Sequence, residues 1–253
     1  MHDEDGWFDA EAAAHYDDPT DEQFDPTVVG RIVDRLAELA GDGRALELAI
    51  GTGRIALPLA ARGTPVDGIE LSRAMVAQLR AKPGGAAIPI TIGDMASADA
   101  PAGSGAYRLV YLVFNTIMNL TTQASQVACF RNAARHLEPG GCFVVEVGVP
   151  GLRMLPPGAR YVVFDHGETH RGIDEYAVAS QGLVSHHLSL RDGRWEASSV
   201  PFRYVWPAEL DLMAELAGLR LHHRWAGWDR APFTDDSGEH VSLWELPEGS
   251  AAR

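Results

Sequence analysis

The residues with the clearest chemical potential lie in one glycine-containing segment, residues 47–54, with the sequence ELAIGTGR. The pattern places this segment where a predicted strand turns into a predicted helix. Gly51 and Gly53 allow a tight turn and a close approach of a ligand to the backbone, and the helix start presents free N–H groups. Gly51, Gly53 and Ala56 also satisfy the dinucleotide fingerprint G-x-G-x-x-A. The turn alone therefore indicates a nucleotide ligand, with a purely structural glycine turn as the alternative.

A carboxylate ends the next predicted strand. Glu70 follows Gly51 by 19 residues, and a carboxylate at that point can accept hydrogen bonds from both hydroxyls of a ribose. NAD-dependent oxidoreductases share this feature, so Glu70 supports an adenosine-containing ligand without selecting one class. A solvated acid at the end of a strand is the alternative.

Two further strand ends carry candidate ligand contacts. Asp94 and Met95 close the third predicted strand, where the carboxylate can accept from an adenine amino group while the thioether packs on the ring. Phe114 and Asn115 close the fourth. Because the carboxyl ends of parallel strands meet along one edge, and ligands bind along that edge, these residues are predicted to border one ligand.

The elements that position these residues follow from apolar periodicity. Strands are predicted at 44–49, 65–70, 88–92, 109–114 and 143–149, and helices at 54–61, 72–81 and 122–136. Pro58 conflicts with a regular helix in the middle of the segment 54–61. Alternation of strand and helix predicts an α/β fold, with a parallel sheet covered by helices on both faces.

The flanking regions follow different patterns. Residues 1–43 are predicted to form a helical cap, with apolar residues at helical spacing from Val28 to Leu39. After Pro150, strands at 161–164, 175–190 and 195–204 are predicted to be antiparallel. A helix from Pro207 and strands at 221–225 and 240–246 close the chain. We predict a single domain, 1–253, with a cofactor-binding core at 44–149, a substrate-covering insertion at 150–206 and closing elements at 207–247.

Composition excludes several classes of function. The net charge is −14 without a Lys/Arg-rich run, which opposes nucleic-acid binding. The sequence contains no apolar run long enough for a membrane span, and its acidic N-terminus is the opposite of a signal peptide, so a cytoplasmic location is expected. Cys129 and Cys142 suggest neither a disulfide framework nor a zinc cluster, and no metal is expected.

Four motifs stand together in order: ELAIGTG at 47–53, GIELSxxM at 68–75, GDM at 93–95 and LxPGG at 137–141. In this combination the chain resembles class I S-adenosylmethionine-dependent methyltransferases, over residues 12–149 and the closing elements. Ala49 departs from the pattern, since many relatives have glycine there. The resemblance implies a doubly wound, mostly parallel seven-stranded sheet with an antiparallel insertion after the fifth strand. It also implies S-adenosylmethionine as the cofactor.

A narrower resemblance is carried by YLVFNT at 111–116, by FRYVWPAELDLM at 202–213 and by WDRxPFTxDS at 228–237. These segments are similar to those of bacterial small-molecule N-methyltransferases of antibiotic and amino-sugar biosynthesis, among which the lincosamide type is one candidate. The family pattern implies a role for each matching position. It implies that Ala49, Gly51 and Gly53 contact the cofactor through their backbone and that Glu70 binds the ribose. It also implies adenine contacts for Leu71, Met75, Asp94 and Met95, and places Phe114 and Asn115 beside the sulfonium. Tyr16 is implied to fold over the cofactor, and Arg31 to meet its carboxylate.

Methyl transfer depends chiefly on positioning, and aromatic faces attract the sulfonium cation. Tyr16 and Phe114 are therefore predicted to act by positioning, with Phe8 beside them, and no strong base is assigned. An amine acceptor needs only to be neutral, whereas a hydroxyl usually needs a base, which favours nitrogen. Candidate acceptor contacts are Phe8, Tyr111, Asn119, His166 and His170.

The alternatives are an O-methyltransferase, an NAD-binding oxidoreductase and a non-catalytic cofactor-sensing relative. Tyr111, His166 and His170 are the candidate bases for a hydroxyl acceptor. Acidic residues of the insertion could attract a cationic small molecule, or form a solvated face. The insertion could also mediate homo-oligomerisation.

Overall fold

The computed structural model describes residues 7–17, 22–191 and 193–249. Two helices precede the sheet. Helix α1 (Ala10–His15) starts at Asp9, whose carboxylate accepts from the N–H groups of Glu11 and Ala12. Helix α2 (Pro26–Ala40) is capped in the same way by Asp25 and ends at Gly41, which has a φ of 53°. Both starts are typical N-caps, and α2 confirms the helix predicted from apolar spacing.

The central region alternates strands and helices, as predicted. Its strands are β1 (Ala45–Leu48), β2 (Val66–Glu70), β3 (Ile90–Ile92), β4 (Tyr107–Leu112) and β5 (Leu137–Gly148). Its helices are α3 (Ala56–Ala61), α4 (Arg73–Ala81) and α5 (Gln123–His136). Pro58 lies in the first turn of α3, where a missing N–H costs no helical hydrogen bond.

The second half of the chain adds a separate sheet and the closing elements. Strands β6 (Tyr161–His166), β7 (His170–Ala177), β8 (Gly182–Arg191) and β9 (Arg194–Arg203) form a four-stranded antiparallel sheet in that order, called the cover below. Helix α6 (Pro207–Leu216) and strands β10 (Arg220–Trp225) and β11 (Glu239–Glu245) follow. The main sheet has the order β10-β11-β5-β4-β1-β2-β3, with β11 antiparallel to β5 and β10. This confirms the predicted doubly wound, mostly parallel seven-stranded sheet.

Two predicted strands differ markedly from the observed ones, whereas the bounds of the others shift by no more than two residues. The strand predicted at 175–190 is wrong, because Gln181, with a φ of 53°, turns the chain between β7 and β8. Strand β5 starts at Leu137 rather than 143, because its beginning pairs with the C-terminal chain. The N–H of Gly140 donates to the carbonyl of Leu246 at 2.8 Å, and Leu246 donates back to Gly141 at 2.9 Å.

Apolar side chains fill both faces of the main sheet. One face packs Phe130 of α5 against Phe143 and Trp244. The other receives α2 and α3, with Leu36 and Leu59 fully buried. Burial on both sheet faces is what a doubly wound fold requires, and it leaves the strand ends as the place for a site. Among the described residues, no helix has the length and apolar character needed to cross a membrane.

Candidate functional site

The glycine segment forms a left-handed turn directly after β1. Ala49, Gly51 and Gly53 have φ values of 53°, 57° and 82°. Glycine adopts this conformation without penalty, whereas a residue with a Cβ costs roughly 1–2 kcal/mol there. Alanine at position 49 therefore strains the backbone and also leaves less space for a ligand than glycine would.

Glu70 is fixed against this turn from the end of β2. Its Oε2 accepts from the N–H of Gly51 at 2.8 Å, and its Oε1 accepts from the N–H of Ser72 at 2.9 Å. Each carboxylate oxygen retains acceptor capacity for another donor. The terminal methyl of Met75 would lie 3.6 Å from a Cβ added to Gly51. The structure thus brings Glu70 and Met75 together at the glycine turn.

Uncovered apolar side chains line the adjoining strand ends. Leu71 after β2 is 46% exposed, and Ile92 at the end of β3 is 38% exposed. Asp94, two residues after Ile92, is also exposed, and its Oδ1 accepts from the N–H of Ala96 at 2.8 Å. Met95 is buried. The strand ends therefore offer two apolar side chains and a carboxylate acceptor, which is the chemistry that a planar ring with an amino group requires.

The end of β4 holds a strained pair. Phe114 and Asn115 have φ values of 55° and 60°, and such conformations cost on the order of 1–3 kcal/mol each. Glu146 stabilises the pair: its Oε2 accepts from the N–H of Phe114 at 2.8 Å, and its Oε1 accepts from the indole N–H of Trp228 at 2.5 Å. The Asn115 side-chain oxygen also accepts from the N–H of Gly148 at 2.7 Å.

The sequence analysis missed Glu146 and Trp228. A carboxylate that interrupts the apolar run at 142–147 of strand β5 was the available signal for Glu146. The sequence offers no comparable signal for Trp228, because its contact with β5 depends on the course of the C-terminal chain.

An aromatic row joins the N-terminal segment to Phe114. The rings of Phe8 and Tyr16 meet edge to face at 5.8 Å, and Tyr16 meets Phe24 at 6.2 Å. The guanidinium of Arg54 lies over Phe24 at 6.0 Å and over Phe114 at 5.3 Å. The structure therefore places the three predicted aromatic residues in one row, and adds Phe24 and Arg54, which were not predicted.

The N-terminal segment is bonded to the glycine turn and to α4. Ser72 donates to the carbonyl of Phe8 at 2.5 Å, and Thr52 donates to the carboxylate of Asp17 at 2.6 Å. Lys82 forms an ion pair with Asp17 at 2.5 Å. These contacts hold residues 7–17 across the end of β2, where Glu70 is buried.

Tyr111 lies in the core beneath the turn. It is fully buried, and its hydroxyl donates to Glu47 at 2.9 Å. Burial raises the pKa of Glu47 to about 8, although the Tyr111 hydrogen bond and the Arg54 charge act in the opposite direction. Burial also raises the pKa of Tyr111 well above its usual value. The prediction that Tyr111 contacts an acceptor or acts as a base is therefore wrong.

The remaining predicted residues are dispersed. Arg31 is exposed on α2, and its Nε donates to the carbonyl of Thr27 at 3.4 Å, so its role stays a prediction. Asn119 ends a short 3-10 helix, Thr116–Asn119, that packs beside β9. In the cover, His166 is exposed, whereas His170 is hydrogen-bonded to Asp165. Among the described residues, no group of histidine, cysteine and acidic side chains could hold a metal ion.

Comparison with known proteins resolves the class of ligand. Residues 45–141 match a family model described as a methyltransferase domain. The structure of the CcbJ methyltransferase from Streptomyces caelestis is 35% identical, covers 93% of this chain and 96% of its own, and superposes with a TM-score of 0.81. This chain belongs to the S-adenosylmethionine-dependent methyltransferases. S-adenosylmethionine, rather than NAD, is therefore the cofactor.

Two further methyltransferases are similar over most of the chain. The cypemycin N-terminal methyltransferase of a Streptomyces species is 26% identical over 208 residues, which is 81% of this chain and 84% of the relative. The S-adenosylmethionine-bound structure of CalS10 from Micromonospora echinaspora, an amino pentose methyltransferase involved in calicheamicin biosynthesis, has the same fold. It is 21% identical, covers 96% of this chain and 99% of its own, and has a TM-score of 0.65.

The methyltransferase cofactor fits the geometry of this site. Gly51 opens the backbone at the turn, and Glu70 offers both carboxylate oxygens beside it. Leu71, Ile92 and Asp94 at the neighbouring strand ends offer the apolar surface and the carboxylate acceptor that an adenine requires.

Proposed function

We propose that this methyltransferase methylates an amine nitrogen of a small molecule in natural-product biosynthesis. S-adenosylmethionine, when bound, supplies an electrophilic methyl group on a sulfonium that the acceptor lone pair takes up. The observation that carries the proposal is the positioning character of the site. The N–H of Phe114 donates to Glu146, and the side-chain oxygen of Asn115 accepts from the N–H of Gly148, whereas the buried Glu47 and Tyr111 are hydrogen-bonded to each other. Such a site suits an acceptor that needs orientation more than a strong base.

The names of two relatives support nitrogen as the acceptor atom. One is an N-terminal methyltransferase and another acts on an amino pentose. The two names thus point to a peptide N-terminus and to an amino sugar as acceptors. An amine acceptor loses one proton to become nucleophilic, and this requires only a mild base.

We assign the site residues as follows within this proposal. The turn residues contact the cofactor by backbone, Glu70 binds the ribose hydroxyls, and Asp94 accepts from the adenine amino group. Phe114 and Asn115 border the sulfonium, and Tyr16 packs over it from the N-terminal segment. The turn residues are Ala49, Gly51 and Gly53, and the other adenine contacts are Leu71, Met75 and Met95.

The test is methyl transfer with trideuteromethyl-labelled S-adenosylmethionine to matched pairs of acceptors. D-glucosamine and N-acetyl-D-glucosamine differ only in whether the nitrogen is nucleophilic, and trialanine with a free or an acetylated N-terminus repeats the contrast. Catechol serves as a hydroxyl acceptor. Mass spectrometry is expected to find the label on the nitrogen of a free amine. Labelling of catechol or of sugar hydroxyls, with both free amines unlabelled, would instead indicate an O-methyltransferase.

Self-association through the cover stays a prediction. The cover face turned away from the site exposes Tyr161, Val163 and Trp195. Light scattering after size-exclusion chromatography, on the full chain and on a Trp195→Lys variant, measures the mass directly. A monomeric full chain would contradict the prediction.

A further inference from the structure

One face of the cover, called the inner face below, is defined by strand register. Residues directly opposite each other in an antiparallel pair project from the same side. His170 lies opposite Ser189, Gly172 opposite His187, Asp174 opposite Ser185 and Tyr176 opposite Leu183. On β9, the same face carries Ser198 opposite His187 and Val200 opposite Ser185. Adjacent residues such as His186 point to the opposite, outer face.

Two contacts link the inner face to elements that flank the candidate site. At one end the hydroxyl of Tyr176 contacts the backbone of Gly151, three residues after β5. At the other end Arg191 pairs with Glu11 of α1 at 3.8 Å. A cavity of about 340 Å³ there is lined by Ser189 and Ser198 of the cover and by Trp7 of the N-terminal segment. The inner face therefore spans from the end of β5 to the segment that covers Glu70.

Four side chains on or beside this face form a continuous hydrogen-bonded chain. Asp165 Oδ2 lies 2.5 Å from His170 Nδ1, and His170 Nε2 lies 3.0 Å from His187 Nδ1. His187 Nε2 lies 3.2 Å from the hydroxyl of Ser185. The chain runs from the buried Ser185 to the Asp165 side chain, which is 41% exposed. It therefore connects the interior of the inner face with solvent.

Packing holds the two imidazoles in this order. The ring of Phe164 contacts that of His187 at 5.5 Å and that of His170 at 6.4 Å. Gly172 makes room for this ring, because a Cβ there would lie 2.1 Å from Phe164. The geometry of the chain is thus fixed by a dedicated aromatic contact.

With both imidazoles neutral, one set of tautomers satisfies every bond of the chain. An ionised Asp165 only accepts, so His170 donates from Nδ1 and accepts at Nε2 from the Nδ1–H of His187. The lone pair of His187 then lies on Nε2, where it accepts from the hydroxyl of Ser185, which also bonds to Asp174. The His170 hydrogen bond lowers the pKa of Asp165, and burial lowers the pKa of His187. At neutral pH the chain therefore combines an ionised carboxylate with a neutral inner imidazole.

We propose that Asp165, His170 and His187 form a proton relay for an ammonium acceptor. The inference rests on the proposed N-methyltransferase function. The acceptor N–H bond breaks, its electron pair stays on nitrogen, and its proton binds the oxygen of Ser185 as the hydroxyl proton of Ser185 moves to Nε2 of His187. The Nδ1 proton of His187 passes to Nε2 of His170, whose own Nδ1 proton leaves through Asp165 to solvent. One proton enters the chain and one leaves it, and no other reactant is needed.

Other charged groups surround the relay and contribute to its pH dependence. They are Asp174 on β7, His186 on β8, Glu196 on β9, and the pair of Arg191 with Glu11 of α1. His186 provides a matched control. It is the next residue along β8, but it points to the outer face, where it bonds to Ser199 at 2.8 Å and lies 3.5 Å from Glu175.

The first test needs no acceptor. Ring ¹⁵N NMR of the S-adenosylhomocysteine-bound protein reports the tautomer of each histidine, which is set by its hydrogen bonds. We expect both His170 and His187 to carry the proton on Nδ1. A His170→Phe variant removes the acceptor of His187 and is expected to abolish its Nδ1 preference, whereas His186→Gln leaves it unchanged. A wild-type His187 protonated on Nε2 would overturn the relay.

The second test measures kcat/KM against pH, with whichever amine of the acceptor pairs is methylated. His187→Gln is expected to lower kcat/KM at pH 7 by about 10²-fold. The deficit shrinks as the pH approaches the pKa of the acceptor ammonium, because the free amine then no longer needs a base. Affinity for S-adenosylmethionine, measured by calorimetry, stays unchanged. If His187→Gln matches His186→Gln across this range, the relay is wrong while N-methylation stands. Labelling of hydroxyls alone overturns the proposed function and, with it, the ammonium substrate of the relay.

Discussion

The carboxyl edge of the parallel sheet and the inner face of the cover both hold carboxylates, but fix them by different means. Glu70 is bound by two backbone N–H groups, from Gly51 and Ser72. Asp165 accepts from one backbone N–H, that of Gly167, but also depends on the side chain of His170, which depends in turn on His187. Backbone donors stay in place when side chains vary, whereas a side-chain network changes with each member. The carboxylate at the sheet edge is therefore fixed by backbone donors, whereas the one on the cover is fixed in part by two histidines that substitution can change.

The largest expected effect tests how strongly the core controls ionisation. Glu47 has its pKa raised to about 8, above the ordinary value of 4.5. Between these values the unfolded chain is ionised while the folded protein keeps its proton. Stability from this group is thus full below pH 4.5 and falls up to pH 8, with a slope of up to about 1.4 kcal/mol per pH unit. We expect the free energy of unfolding of a Glu47→Gln variant, measured in urea from pH 5 to 8, not to show this decrease with pH.

The control for Glu47 is Asp165→Asn, the same chemical change on the cover. Because the Asp165 side chain is partly exposed, this variant is expected to keep the wild-type slope. Identical slopes for the wild type and Glu47→Gln would show that Glu47 is ionised in the folded protein.

The second prediction concerns cofactor affinity. Glu70→Gln replaces one acceptor oxygen with an amide NH₂ that faces a backbone donor, and weakens two bonds to a charged acceptor. We expect an approximately 10²-fold rise in the Kd for S-adenosylmethionine, measured by calorimetry. Asp165→Asn is expected to leave that Kd unchanged. An equal effect of both variants would remove the proposed distinction between the two regions.

A smaller effect is expected at the proposed adenine contact. Asp94→Ala removes one accepting carboxylate and is expected to weaken S-adenosylmethionine binding by about tenfold. Asp99→Ala is the matched control, because Asp99 is also exposed but pairs with Arg135. Unchanged affinity in Asp94→Ala would refute the assigned adenine contact.

The smallest effect is expected where the two regions adjoin. Trp228→Phe keeps the ring but removes the N–H that Glu146 accepts, at a stability cost of about 1 kcal/mol. The strained Phe114 is then less firmly held, and kcat is expected to fall a few-fold, with the cofactor Kd unchanged. Trp225→Phe serves as the control. A fall in cofactor affinity without a change in kcat would contradict the positioning role of Glu146.

The contrast between groups fixed by the backbone and groups fixed by other side chains also explains what the sequence could predict. The glycine turn, Glu70 and the Ser72 helix cap follow from local signals, because each needs only neighbouring residues to define its conformation. The aromatic row was predicted in part, through Phe8, Tyr16 and Phe114. Arg54, which joins Phe24 to Phe114, was missed because its contact with Phe114 spans separate elements.

The errors arose where long-range contacts override local patterns. Tyr111 reads as an available phenol at a strand end, yet its partner Glu47 lies 64 residues earlier in the chain. The run from 175 to 190 contains no strong turn signal, and strand pairing alone divides it at Gln181. His187 gained its importance only when the register placed it beside His170.

The attachment of the N-terminal segment has a kinetic consequence. Ser72 both caps α4, by accepting from the N–H of Met75 at 3.1 Å, and donates to Phe8. Residues 7–17 therefore close over Glu70 through the same hydroxyl that starts the helix behind it. We expect exchange of spent for fresh cofactor to require detachment of this segment, so that local unfolding at the N-terminus, rather than the chemical step, sets the residence time of the product.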